Sequence, residues 1–174
     1  MAELGWLADV LGFANLMSTA PELAGEIDTC EYLFLRELSE PKENSLRLLV
    51  EEAKPDVLTV PITAGEVKFG QGRPVHSTEA CRLFEIFWDS YVAYSVRNEL
   101  YAKNTESEIV SWGRRLRLYS KSYFLEYISS ATFASPQYPG LMEHIEVTCE
   151  NHVIDVVSSS SPTIRRLRPL ETLQ

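Results

Sequence analysis

Basic residues are scarce in this chain of 174 residues: 16 lysines and arginines stand against 25 aspartates and glutamates, for a formal charge of −9. A protein that grips nucleic acid displaces counterions from phosphates with a basic face, so this balance argues against a nucleic-acid partner. The acidity reads as a solubility feature. Cysteine is sparse too. Cys30, Cys81 and Cys149 are single residues with no C-x-x-C pair, which fits neither a disulfide framework nor a zinc knuckle. They read as reduced core residues of a cytoplasmic protein.

Long apolar runs are missing. The most apolar stretch near the N-terminus is interrupted by Gly5, Asp9, Gly12 and Asn15, too broken to span a bilayer, and Glu3 stands where a secretory signal carries positive charge. No membrane association is expected. Gly70-Gln71-Gly72 is the only tight glycine pair. Without G-x-G-x-x-G, G-x-x-x-x-G-K-[ST] or a following amphipathic helix it reads as a turn and not a phosphate loop, and no cofactor is expected. G-x-S-x-G is absent as well.

What is present is patterned mostly with a period of two. From Cys81 to Ala102, Phe84, Ile86, Trp88, Val92, Tyr94 and Val96 alternate with a mixed set, the mark of a strand with one face on a core. Sixteen residues from Leu83 to Asn98 would extend about 50 Å, beyond ordinary strands, so a bend is expected at Asp89-Ser90. Glu143 to Ser158 reads as a second long strand. Thr29 to Leu38 and Leu46 to Glu52 form a hairpin around the turn residues Pro41 and Asn44. Val57 to Ile62, Glu66 to Phe69 and Ile109 to Trp112 are shorter extended patches, and Arg115 to Tyr119 is a strand with a basic outward face.

Two helices are expected. Over residues 3–17, Leu4, Leu7, Leu11 and Ala14 recur at helical steps beside Trp6, Val10, Phe13 and Met17. That wide apolar face needs the domain core or a partner chain. The second, over 123–134, is capped by Ser120 or Ser122 and stopped by Pro136. Pro21, Gly25 and Asp28 read as a break, and Ser158 to Pro162 as the end of ordered sheet. Arg165, Arg166 and Arg168 sit in a tail that lies over an acidic surface or forms a mobile arm.

These elements describe one α+β domain, 1–174, divided into an N-terminal helix (1–20), a core (29–158) and a tail (159–174). Its core is a twisted antiparallel sheet of about five or more strands with the two helices packed on it. The alternative is a mainly β, partly closed barrel with peripheral helices.

Chemistry-bearing residues are few. His144 and His152, eight residues apart in one strand, would be separated by about 27 Å, so no metal chelate is expected from them. Polar groups interrupting apolar faces are more informative, because a buried amide or carboxylate without partners costs about 1–3 kcal/mol. Asn151 and Asp155 are of this kind. Arg97, Asn98, Glu99, Glu150, His152 and Asp155 are the candidate ligand-binding cluster at the end of the two long strands, the alternative being a polar lock on the core. A triad assembled from His152, Asp155 and a serine has nothing to select the serine, so catalytic residues are unassigned.

The strings YVAYSVRNELYA (91–102), YSKSYFLEYIS (119–129) and CENHVIDVVS (149–158) resemble a group of uncharacterised bacterial proteins of unknown function. The resemblance implies an intracellular bacterial domain and assigns no activity. The expectation is therefore a non-catalytic binding or protein-interaction domain, acting through a sheet face, a sheet edge or the N-terminal helix, with a protein partner or a homo-oligomer. A small-ligand-binding protein or hydrolase-like enzyme using the polar cluster is the alternative.

Overall fold

The computed structural model describes residues 21–103 and 108–167. The helix expected over 3–17 lies outside them, as does Arg168. The first described element is helix α1 (Pro21–Asp28), in the stretch read above as a break. Proline in the first turn of a helix forfeits only an N–H that has no intrahelical partner, so Pro21 starts the element instead of ending one. Ala24 and Ile27 bury one side of it.

The strands are β1 (Tyr32–Ser39), β2 (Leu46–Pro55), β3 (Val60–Ala64), β4 (Val67–Gly72), β5 (Val75–His76), β6 (Leu83–Trp88), β7 (Ala93–Asn98), β8 (Ile109–Trp112), β9 (Leu116–Lys121), β10 (Glu143–Thr148), β11 (His152–Ser158) and β12 (Thr163–Leu167). Helix α2 (Tyr123–Ala131) lies between β9 and β10. Every ladder is antiparallel. A first sheet runs β1-β2-β6-β12, with β5 also on β2; a second runs β7-β11-β10-β9-β8; among the described strands β3 and β4 pair only with each other. The α+β antiparallel architecture is as expected. No closed barrel forms among the described residues.

Alternation explains which faces meet. Leu48, Val50, Phe84, Ile86 and Trp88 from the first sheet and Leu116, Ile145, Val147, Ile154 and Val156 from the second share one core. Each such side chain stabilises the fold by about 1.5–3 kcal/mol. No described helix is long and apolar enough to cross a membrane.

Four expectations change. Cys81 to Ala102 is two strands in different sheets: the chain leaves the first after Trp88 and enters the second at Ala93, a corner held by Tyr91 N–H on Asn44 O and Val92 N–H on Val157 O. Glu143 to Ser158 is likewise a hairpin, β10 and β11, reversing at 149–151. The sheet does not end at Ser158, because β12 returns to β6, and there Arg165 and Arg166 lie against Glu85 and Glu26. Gly70 and Gly72 are within β4, and the turn belongs to Gly65 at φ 61.

The β10–β11 turn ties the sheets together. Asn151 accepts from Leu35 N–H at 3.0 Å and donates to Leu35 O at 3.1 Å, while Glu150 N–H donates to Leu33 O at 2.8 Å. Leu35 stays in register with Val50 beside a bulge that leaves Arg36 without a partner, and β1 is the edge of its sheet, so the amide pairs backbone groups that no described strand reaches. Asn151→Ala orphans both backbone groups and should cost about 2 kcal/mol in urea unfolding. The exposed Asn98→Ala should cost less than half as much.

Candidate functional site

The register of the second sheet sets Ser95, Asp155, Glu146 and Arg117 in one row across β7, β11, β10 and β9. Their face is the outward one, on which α2 lies. Two carboxylates directly opposite each other repel, and Glu146 and Asp155 are only 4% and 3% exposed. They persist because their surroundings supply a donor to every lone pair. Arg97 binds Asp155 through Nε and Nη2, both at 3.0 Å, and the same Nη2 reaches Glu146 Oε2 at 3.2 Å. Ser95 Oγ donates to Asp155 Oδ2 at 3.0 Å. Glu146 also accepts from Arg117 Nη1 at 3.1 Å, Tyr119 OH at 3.2 Å and Thr148 Oγ1 at 2.9 Å.

His144 completes the set. Its Nε2 is 3.1 Å from Asp155 Oδ1 and its Nδ1 is 2.7 Å from Ser122 Oγ. The ring stacks on Tyr119 at 4.7 Å and meets the edge of Phe124 at 5.5 Å. An ionised Asp155 can only accept, so Nε2 carries a proton. Ser122 Oγ already accepts from Leu125 N–H at 3.0 Å as the cap of α2. In the Nε2–H tautomer the ring takes the serine proton at Nδ1, and no group is left unsatisfied.

Burial alone would raise the pKa of Asp155, but the His144 hydrogen bond and the Arg97 charge overcome it and hold the carboxyl below its ordinary range. Burial, with the charge of Glu146, raises the Tyr119 phenol, which therefore stays a donor at neutral pH.

A cleft of about 430 Å³ opens over this cluster. Arg97, His144, Glu146 and Asp155 line its floor, Tyr123, Phe124 and Tyr127 its helix wall, and Lys103 and Glu108 its rim. Glu108 also receives Tyr123 N–H at 3.0 Å.

Ser122, His144 and Asp155 have the members and contacts of a Ser-His-Asp relay, but the cleft reaches it from the wrong end. Asp155 and His144 line the cleft; Ser122 does not and is 1% exposed. An attacking hydroxyl needs a site about 3 Å away for the reacting atom, whereas this one is enclosed and spent on its helix cap. The buried thiols are no better placed: burial raises Cys30 to about 11 and Cys149 to about 12, so both are protonated and poor nucleophiles.

Of the residues singled out from the sequence, Arg97 and Asp155 come together. Asn98 caps the short 3-10 turn Glu99–Tyr101 through Leu100 N–H, and Glu99 is inside that turn. Glu150 pairs with Arg115 at 3.0 Å in the β10–β11 turn. His152 pairs with Asn98 on the other face of the sheet, and its Nδ1 is buried without a partner among the described residues. Sequence reasoning missed Ser95, Glu146 and Arg117. It weighed His144 only as a metal ligand and Ser122 only as a cap. The signal was available at Glu150-Asn151, a polar pair suited to reversing the chain, since a turn there sets Glu146 opposite Asp155. Among the described residues no group of three or more His, Cys, Asp or Glu could hold a metal ion.

Comparison with protein-family models, with curated protein sequences and with solved structures finds no match to this chain.

Asp155 sets a pH dependence. Its native pKa lies below the unfolded one, so its contribution is whole above the ordinary aspartate range and is lost as pH falls through it. Asp155→Asn should cost about 3–5 kcal/mol at neutral pH, and the gap from the parent should narrow below about pH 4 in urea titrations at stepped pH. A fluorophosphonate probe should leave Ser122 unlabelled in the folded chain, as read by intact mass.

Proposed function

We propose that this chain is a non-catalytic binding protein whose cleft receives a small organic carboxylate with a flat apolar body. The observation that carries the reading is a count of bonding capacity. Each of the four oxygens of Asp155 and Glu146 already accepts two hydrogen bonds. Neither acid has a lone pair left for a ligand or a proton-transfer step. Arg97 is different. Nε and Nη2 are engaged, but Nη1 has no partner among the described residues, and the side chain is 41% exposed where it lines the cleft.

The cleft therefore offers a guanidinium N–H pair on its floor and the Lys103 ammonium on its rim, beside the rings of Tyr123 and Tyr127. One carboxylate oxygen suits each cation, charge-assisted bonds being the stronger kind. The rings supply a surface for a flat body, an apolar wall with a few convergent polar groups being the usual make-up of a ligand site. The three cysteines are free and buried, which supports a reducing, cytoplasmic setting.

Benzoate is a suitable probe, followed by amide chemical shifts of residues 123–127 and by calorimetry, with benzyl alcohol as the uncharged control. Benzoate should bind in the millimolar range or tighter and the alcohol should not. Lys103→Ala and Tyr127→Ala, both outside the buried cluster, should each weaken binding about tenfold, or about 1.4 kcal/mol. Equal binding of the alcohol, or affinities untouched by both substitutions, would remove the reading.

A further inference from the structure

Residues 56–74 leave the first sheet as an arm. β3 and β4 pair with each other and with no other described strand, and every residue from Val60 to Ala64 and from Val67 to Gln71 is exposed. The ladder sets Val60, Ile62, Ala64 and Val67 on one face with Gly70 and Gly72, and Pro61, Thr63, Lys68 and Gln71 on the other. Ile62 reaches across its face: a Cβ built on Gly72 would stand 2.8 Å from its Cδ1. Val57 and Leu58 at the base and Phe69 at the bulge add exposed apolar side chains to the same arm, and the six large residues are 43% to 86% exposed.

A two-stranded hairpin standing alone in water is marginal. It gains independent stability from a third strand or from something packed on an apolar face, and among the described residues this arm has neither. We propose that the arm is a self-association surface through which two copies of this chain pair, apolar face on apolar face.

Three features single out a second copy as the occupant. The first is what the arm needs: two such layers stacked about 10 Å apart make a four-stranded unit with a buried interior. The second is area. At roughly 150 Å² a residue, the low end of what an aromatic side chain buries, the exposures of Val57, Leu58, Val60, Ile62, Val67 and Phe69 amount to on the order of 560 Å² per copy. A standard interface takes about 800 Å² from each partner. The third is charge. Two copies of a chain at −9 repel, yet residues 56–73 carry Asp56 and Glu66 against Lys68 and Arg73, and the apolar face carries no charge. The contact is a two-fold one, the same patch used by both copies, so it closes at the dimer.

The test is the mass of the full chain by sedimentation velocity over a dilution series, with Ile62→Lys and Phe69→Glu as variants. The full chain should be a dimer that dissociates on dilution, and each variant should shift the dissociation constant at least a hundredfold towards monomer. The thermal melt of the variants, measured at a concentration where the parent is monomeric, should match the parent, because the arm packs on neither sheet. A monomer throughout would overturn the proposal, with residues 1–20 or an unrelated protein as the cover. So would a dimer that both variants leave intact.

Discussion

The opposition of Glu146 and Asp155 across the β10–β11 ladder is the constraint on which the second sheet depends. Two buried charges of one sign a few ångströms apart repel by several kcal/mol even at an effective dielectric of about 20. The chain answers with donors from most of that sheet: Ser95 and Arg97 from β7, Arg117 and Tyr119 from β9, and Thr148 from β10. Helix α2 is drawn in by the same demand, through Ser122 and His144. Only Ile128 of the helix is buried, so its apolar stripe is a weak anchor by itself. The hydrogen-bonded path from its cap to Asp155 fixes where its first turn sits.

Saturation also separates this cluster from an active site of similar composition. General acid–base catalysis uses a group poised near the working pH, and Asp155 is moved the other way. Nucleophilic catalysis needs a hydroxyl that substrate can approach, and Ser122 lies behind His144. Among the described donors bound to the two acids, Arg97 keeps capacity at its Nη1 edge. An ion cluster that costs much to bury is weak evidence for stability alone, but this one holds the Arg97 guanidinium at the base of an aromatic cleft. A side chain held in that way favours binding, because little side-chain entropy remains to be lost.

How much of this could be read in the sequence depended on whether one face of each strand was wet. The β1–β2 hairpin, the basic outward face of β9 and the Ser122 cap were all legible, each resting on a local period or a local bond. The two long strands were misread for different reasons. Between β6 and β7 the alternation keeps its phase: Phe84, Ile86 and Trp88 point into the core on one side of the corner, and Tyr94 packs against that core on the other, so periodicity cannot register the change of sheet. In β11, six consecutive residues from Val153 to Ser158 are buried, because the core lies on one face and α2 with the ion cluster lies on the other. A strand covered on both sides loses its period of two, and with it went the phase shift that would have exposed the turn at Glu150-Asn151.

The aromatic residues make the same point from the outside. Counted together, three tryptophans and eight tyrosines read as a surplus fit for partner contact. Their environments divide them. Trp88 is fully buried and Trp112 packs against the core. Tyr91 and Tyr94 both donate to Glu40 Oε1, at 2.8 and 2.9 Å, and Tyr119 serves Glu146. A phenol that bridges an apolar layer to a carboxylate is used up by the fold, since its hydroxyl must find a partner wherever its ring is buried. Tyr101, Tyr123, Tyr127 and Tyr138 remain exposed, and two of these four form the helix wall of the cleft. Function here cannot be read from the number of aromatics, only from where each ring stands. The rings of Tyr123 and Tyr127 line the cleft beside Arg97, and that is why the proposed ligand is assigned there and not to the rings that the core and Glu40 already hold.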